Sequence, residues 1–301
     1  MNFKRSLSFF KPTWLLMLIV SAAIVAGACS SDTEERTLYI AGIPDQDISL
    51  LETRFGKLAE YLSQETSLNV KYLPSVDYAA VVTGFRQGDI QLAWYGGLTG
   101  VQARLASPGS QAIAQRQEDE AFHSVFIAQK GLGITSLADL KGKSVTFGSE
   151  SSTSGNLMPR FFLAQAGINP ENDFPAVNYS GSHDKTWKLV ETGAFEAGAL
   201  NAPVWEKRVA DGSVDTNKVE AFFTTPPYYD YHWVIRGEVD AEFGAGTTSK
   251  LTKALLELLA SDGGREQEIM GAFGSTRFIS TNNENYAAIE QVARDLGIIE
   301  K

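Results

Sequence analysis

Phe147-Gly148-Ser149-Glu150-Ser151-Ser152-Thr153-Ser154-Gly155-Asn156-Leu157-Met158-Pro159-Arg160 is the stretch on which the reading of this chain turns. A β-rich run, Lys143 to Phe147, leads into it. An apolar helical segment, Leu157 to Ala166, leaves it and stops at Gly167. Strand, small polar turn and helix start together make an anion site. The first N–H groups of a helix lack internal partners, and its dipole puts partial positive charge there. Ser and Thr hydroxyls add donors without adding charge. The segment points to a tetrahedral oxyanion held by neutral donors. An ordinary N-cap cluster without a ligand is the competing reading, because Ser and Thr are preferred caps.

Working outward, residues 1–28 read as a signal peptide. Lys4, Arg5 and Lys11 form a basic flank, and Trp14 to Ala26 is an apolar or small-residue core too short for a comfortable membrane span. Ala26-Gly27-Ala28 precede Cys29, the only cysteine, and resemble a bacterial lipobox, with Ala26 standing where Leu is usual. Lipid on Cys29 would anchor the protein to a membrane at the extracytoplasmic face of the cell envelope, with residues 29–36 as a polar tether. A plain secretory signal with a chance cysteine is the alternative. With no second cysteine there is no intrachain disulfide.

Removing residues 1–28 takes away three basic residues and no acidic ones, so the formal charge goes from −10 to −13. That excludes nucleic acid as a natural partner, which needs a basic face. Long-range steering would not bring an anion to this surface either, so an anion site here works through local dipoles and hydrogen bonds.

The mature length exceeds what one compact core needs, so two lobes are expected. Strands at 37–42, 68–73, 90–94, 112–115, 124–129, 144–147, 176–179 and 197–201 alternate with helices, among them 157–166 and 183–191. This pattern predicts α/β layers with mainly parallel sheets. Leu51, Phe55, Leu58 and Leu62 recur at helical spacing, and Leu251, Leu255, Leu258 and Leu259 form a second stripe. Val82 to Ala93 and Val190 to Asn201 look like versions of one helix–turn–strand unit, one in each lobe. Phe122–Gln129 and Tyr229–Arg236 are candidate hinge strands. The expected division is 37–127 for the first part of lobe 1, 128–228 for lobe 2, and 229–301 for the return to lobe 1 with its C-terminal helices.

Four segments in order resemble the phosphonate-binding proteins, the substrate-binding components of phosphonate/phosphite-type ABC importers. They are Asp77-Tyr78-Ala79-Ala80-Val81-Val82, Leu92-Ala93-Trp94-Tyr95-Gly96-Gly97-Leu98, Ser152-Thr153-Ser154-Gly155 and Gly181-Ser182-His183-Asp184. The resemblance spans roughly residues 37–280 and implies a type II periplasmic-binding-protein fold, two α/β lobes joined by two hinge strands. It implies a ligand set of Tyr78, Ser152, Thr153, Ser154 (through its backbone N–H), His183 and Asp230. A second tyrosine of the family falls at Phe122. The acid that neutralises an aminoalkyl substituent falls near Pro203, beside Asn201, which joins the candidate site. Both departures disfavour a zwitterionic ligand and favour phosphite, phosphate, a simple phosphonate or a selenium oxyanion. Ala199-Leu200-Asn201 and Met158-Pro159-Arg160 are similar to a branch often labelled selenate-binding. The resemblance implies a permease partner, a monomer and no cofactor.

Each site residue has a plainer reading: Tyr78 as a packing aromatic, His183 as a helix cap, Asp230 as a turn residue. Tyr95 reads as support for the cleft wall. The enzyme reading, a hydrolase of phosphonate or phosphate esters, finds no G-x-S-x-G elbow. Gly142-Lys143-Ser144 lacks the first glycine of a phosphate loop, since position 137 is Leu. His123, His183 and His232 have no metal-pair spacing. A sensor that reports ligand occupancy to a receptor would share the same lobes.

Overall fold

The computed structural model describes residues 36–300; the signal segment, Cys29 and the tether through residue 35 lie outside the described residues. The first part of the chain runs β1 (Thr37–Gly42), α1 (Ile48–Thr66), β2 (Asn69–Tyr72), α2 (Tyr78–Gln87), β3 (Leu92–Tyr95), α3 (Gly97–Ala106) and β4 (Gln111–Arg116). The middle holds β5 (Ser124–Gln129), β6 (Val145–Phe147), α4 (Met158–Gln165), α5 (Pro170–Asp173) and β7 (Val177–Tyr179). It continues through α6 (His183–Glu191), β8 (Ala197–Asn201), α7 (Ala202–Ala210) and β9 (Val219–Thr224). The last part is β10 (His232–Ile235), α8 (Val239–Phe243), α9 (Thr247–Glu257), α10 (Gly264–Phe273), β11 (Phe278–Ser280) and α11 (Ala287–Asp295).

These strands form two sheets, ordered β2-β1-β3-β10-β4-β11 and β7-β6-β8-β5-β9. The sheets share one plan. β1 pairs in parallel with β2 and β3, as β6 does with β7 and β8. A strand delivered from the other lobe then runs antiparallel: β10 against β3 and β4, β5 against β8 and β9. The expectation of mainly parallel sheets is thereby corrected, since four pairings are parallel and five antiparallel. β5 and β10 reach their sheets by passage between lobes instead of by a helical crossover, so nothing forces them parallel.

Segments 82–93 and 190–201 do occupy equivalent places. In each, a helix ends, a left-handed glycine turns the chain (Gly88 φ 90°, Gly193 φ 81°), and four residues later a strand begins, third in its sheet. The chain passes between lobes at 121–123 and 225–231, and the passages are paired. Phe122 N–H donates to the Tyr228 carbonyl at 2.8 Å and Tyr228 N–H returns the bond at 3.0 Å. β5 pairs wholly within the second sheet and β10 wholly within the first, so the passages are shorter than the strand-length segments 122–129 and 229–236.

The first lobe has one continuous core in which Phe55, Trp94, Trp233 and Phe273 meet Leu251, Leu255 and Ile289 of the C-terminal helices. Leu258 and Leu259 fall past the end of α9, where Leu259 bridges Arg277, so the helical stripe is two residues shorter than the spacing suggests. In the second lobe alternate residues of β5 feed opposite faces. Phe126 and Ala128 join one core, Val125 and Ile127 the other.

The decisive stretch folds as a wide turn. Leu157 N–H donates to the Ser152 carbonyl at 3.0 Å and Met158 N–H to that of Thr153, so residues Thr153–Leu157 form a π-helical turn continuing into α4. Helical winding thus starts four residues before Leu157. The next bond in this register would come from Pro159, which has no N–H. The Ser154 carbonyl left over accepts from Ser124 Oγ at 2.8 Å instead. Gly148 and Gly155 close the turn from inside, with Gly148 N–H on the Gly155 carbonyl at 2.8 Å; a Cβ on either would come within 3.1 Å of the other's Cα.

Candidate ligand-binding site

Four helix starts converge between the lobes, two from each. On the first lobe, Asp77 caps α2 by accepting from Ala80 N–H at 2.7 Å, and α3 follows Gly96 with no side-chain cap. On the second, Ser152 caps the π-turn through Gly155 N–H at 2.9 Å, and Ser182 caps α6. The leading N–H groups of such helices have no internal acceptor, and their dipoles reinforce one another at a shared point.

The lobes meet in direct hydrogen bonds. Leu98 N–H donates to Thr153 Oγ1 at 2.9 Å, His183 N–H to the Asp45 carbonyl at 3.0 Å, and Asp47 N–H to Asp184 Oδ2 at 3.1 Å. Asp184 is itself fixed by Arg208, whose Nε and Nη2 donate at 2.8 and 2.9 Å, and by Trp187 Nε1 at 3.0 Å. This is the closed arrangement of the two lobes.

All seven residues expected from the sequence lie buried in this region. Tyr78 begins α2. Ser152, Thr153 and Ser154 line the π-turn, with the hydroxyls of Thr153 and Ser154 beside the Asp230 carboxylate. Gly97 N–H donates to Asp230 Oδ1 at 2.8 Å. His183 and Asn201 sit around a tyrosine the sequence reading missed, Tyr231. Its hydroxyl donates to Asp45 Oδ2 at 2.8 Å and accepts from Asn201 Nδ2 at 3.2 Å. His183 Nδ1 accepts from Asn201 N–H at 3.3 Å, which leaves the proton on Nε2, 3.3 Å from the Tyr231 hydroxyl. Asn201 Oδ1 caps α7 through Val204 N–H, so this side chain holds the site together from two sides.

Asp45 is the other residue the sequence reading missed. It is 2 % exposed and supplies a second buried carboxylate from the loop after β1, a different position from the one near Pro203 where the resemblance places the family's acid. Its signal was positional: in open α/β sheets ligands sit beyond the carboxyl ends of strands, and Asp45 lies three residues past β1. Phe122 is enclosed by the Tyr228 and Tyr231 rings, and Tyr95 braces the wall through its hydroxyl on the Val81 carbonyl at 3.1 Å.

Burial dominates the electrostatics. It pushes the Asp230 carboxyl up to about 7, against the pull of the Gly97 N–H. It holds the Tyr78 hydroxyl well above the usual tyrosine range and lowers His183, which is therefore neutral. Three buried polar atoms of this cluster make no hydrogen bond of normal geometry, Tyr78 Oη, Asp230 Oδ2 and Asp45 Oδ1, although the Ser152 hydroxyl lies beside Tyr78 and those of Thr153 and Ser154 beside Asp230. Buried polar atoms are rarely left unpaired, and these belong to one electrostatic cluster, with Asp45, Ser152 and Asp230 all acting on the Tyr78 hydroxyl.

Two α/β lobes that exchange one antiparallel strand each, closed over a site built from helix starts, define a type II periplasmic binding protein. The chain belongs to the family described as ABC transporter, phosphonate, periplasmic substrate-binding protein, whose sequence profile matches residues 40–286. It is 41 % identical over 294 residues to the probable ABC transporter phosphite binding protein PhnD1 of Prochlorococcus marinus (strain MIT 9301), covering 95 % of this chain and 99 % of that one. The structure of that PhnD1 in complex with methylphosphonate superposes with a TM-score of 0.85 at 43 % identity, over 88 % of this chain and 100 % of its own. The phosphate-import protein PhnD of Mycolicibacterium smegmatis (strain ATCC 700084 / mc(2)155) is 29 % identical over 209 residues, covering 63 % of this chain and 65 % of its length. The protein is thus a substrate-binding component of an ABC importer that acts outside the cytoplasm, in a family of transport proteins.

Proposed function

We propose that the protein clamps a small phosphorus oxyanion able to share a proton, phosphite or a simple phosphonate such as methylphosphonate, and hands it to an ABC permease. The observation that carries this reading is the trio of unpartnered buried atoms at converging helix starts. Tyr78 Oη offers a proton to an anion, while Asp230 Oδ2 calls for a proton between itself and the anion. The leading N–H groups at Thr153 and Ser154 and the hydroxyl of Ser152 add neutral donors, and His183 and Asn201 fix the wall through Tyr231. Two carboxylates in the wall disfavour fully deprotonated sulfate or selenate, which would face Asp230 with no proton between them. Support for phosphorus comes also from the 41 %-identical relative, described as a phosphite binder, and from its methylphosphonate complex.

In this reading the lobes comprise residues 37–120 with 232–301, and 124–224; the expected boundary at 127/128 moves back because β5 pairs within the second sheet from Ser124 on. They close by hinge motion, and a monomer presents the closed form to the permease. A lipid on Cys29 keeps it at the membrane. Calorimetry with phosphate, phosphite, methylphosphonate, sulfate, selenate and selenite tests the ligand: tight selenate or sulfate binding with phosphite and methylphosphonate ignored would overturn it. Detergent partitioning tests the anchor, which requires the full-length product to move to the aqueous phase in Cys29→Ser.

A further inference from the structure

A cavity of about 200 Å³ is lined in part by Asp45, Asn201 and Tyr231 of the candidate site but reaches none of Tyr78, Ser152, Thr153, His183 or Asp230. It lies between the lobes. Its rim is exposed at Pro203 and Lys207 of α7 and at Gly274, and its floor is buried at Arg54, Trp94 and Tyr231. In a chain of formal charge −10 this well is lined by Arg54, Arg116 and Lys207.

The two arginines differ. Arg116 is satisfied: Nε and Nη2 donate to Asp119 at 2.8 and 2.6 Å, and Nη1 to the Phe273 carbonyl at 2.8 Å. Arg54 is 5 % exposed and uses only Nε, on the Ala272 carbonyl at 2.8 Å. Among the described residues its two terminal nitrogens have no hydrogen-bond partner, and no carboxylate lies within ion-pair distance. Packing of the guanidinium over the Phe273 ring, at 5.2 Å, accounts for its stem and plane but leaves four N–H donors unused. Burial presses against its charge, Asp45 in the same wall supports it beyond ion-pair distance, and Arg116 opposes it. The terminal N–H groups of Arg54 therefore face the well, where water or a small anion can accept from them.

We propose that this well is a second anion site, taking one small oxyanion of the phosphate type between Arg54 of the first lobe and Lys207 of the second. The volume admits such an anion with water around it. Asp45 in the shared wall repels the guest and keeps affinity in the millimolar range, so the site fills transiently. Its place against the Tyr231–Asp45 wall makes it a staging position, where an anion waits one side chain away from the enclosed site. The staging role rests on the reading of the enclosed site given above; the anion site itself does not.

Phosphorus NMR separates the two. Inorganic phosphate is added to the full chain saturated with methylphosphonate, whose own resonance reports the enclosed site independently. The expected result is millimolar, saturable broadening of the phosphate line while the bound methylphosphonate signal stays put. The broadening should fall about fivefold or more in Lys207→Gln, a solvent-exposed change that leaves folding intact, and in Arg54→Gln. No phosphate broadening, broadening unchanged in Lys207→Gln, or phosphate simply displacing methylphosphonate would each overturn the second site. If methylphosphonate itself shows no bound signal, the enclosed-site reading fails, and the phosphate titration of free protein and Lys207→Gln still decides the well.

Discussion

The backbone N–H of Leu98, in the first turn of α3, donates to Thr153 Oγ1 across the lobe interface at 2.9 Å. The hydroxyl thereby spends a lone pair on holding the lobes together and keeps its proton for the Asp230 side of the site, where it lies beside the carboxylate. Thr153 is thus a latch between the lobes, beside the donor role proposed for it.

Thr153→Ala should therefore weaken ligand binding by about 1.5–3 kcal/mol, ten- to a hundredfold, because it removes a charge-assisted donor and a closure contact together. Thr153→Ser keeps the oxygen and should stay within a few-fold of the parent. Titration calorimetry on both variants checks this. An Ala variant that binds like the parent would take the π-turn out of the site.

Gly96 gives a cleaner separation of folding from closure. Its φ is −76°, so a side chain is tolerated by the backbone, but a Cβ would lie 3.0 Å from both Asp230 Oδ1 and Thr153 Oγ1. Thr153 comes from the opposite lobe, so its half of the clash arises only on closing, while Asp230, held to Gly97 at the start of α3, has to give by a few tenths of an ångström in either state. Gly96→Ala should fold normally and lose about 1–3 kcal/mol of ligand binding as the lobes are held apart. Small-angle scattering with and without ligand would register the missing compaction; undiminished compaction would mean the lobes adjust freely here.

Much of this was legible locally. The π-turn, the α6 start and the Asp77 cap all announce themselves by small polar residues before an apolar run, and Gly88 and Gly193 mark equivalent turns. Local patterns cannot show which sheet a strand joins, and so β5 and β10 were read as strands but their antiparallel pairing was missed. Tyr231 was invisible, and Asp45 marked only by its place past the end of β1, for a related reason. Each becomes a site residue only through a partner from far along the chain, Asp45 with Tyr231 and His183 with Asp45. Thr153 was read as a ligand donor alone because its second partner, Leu98 N–H, comes from another lobe.

Tyr78 offers a sign test. Its hydroxyl is buried and makes no hydrogen bond of normal geometry, so Tyr78→Phe removes a poorly paired group from the ligand-free protein. Stability without ligand should hold or rise slightly, whereas ligand affinity should fall by about 1–3 kcal/mol. Thermal melts with and without ligand measure both quantities at once. Loss of stability with unchanged affinity would make Tyr78 a packing residue.

Asp230 sets the pH behaviour. Its carboxyl stands at about 7 in the closed protein, against about 3.9 in an unfolded chain. Between those values the folded form holds a proton that the unfolded chain has released. Stability of the ligand-free closed form should therefore decline as pH rises from about 4 to about 7, then level off. Binding adds a second consequence. In the proposed reading one proton lies between Asp230 Oδ2 and the oxyanion, supplied by either partner. Once pH exceeds both their pKa values, that proton has to be taken from solution, and affinity should fall about tenfold per pH unit. Calorimetry at about pH 8.5 in buffers of different ionisation enthalpy should register uptake of about one proton. Asp230→Asn brings its own N–H, so uptake should vanish and the preference over sulfate and selenate should narrow. Equal proton uptake in the parent and in Asp230→Asn would mean that the shared proton sits elsewhere, and that Asp230 serves only to hold the start of α3 through Gly97.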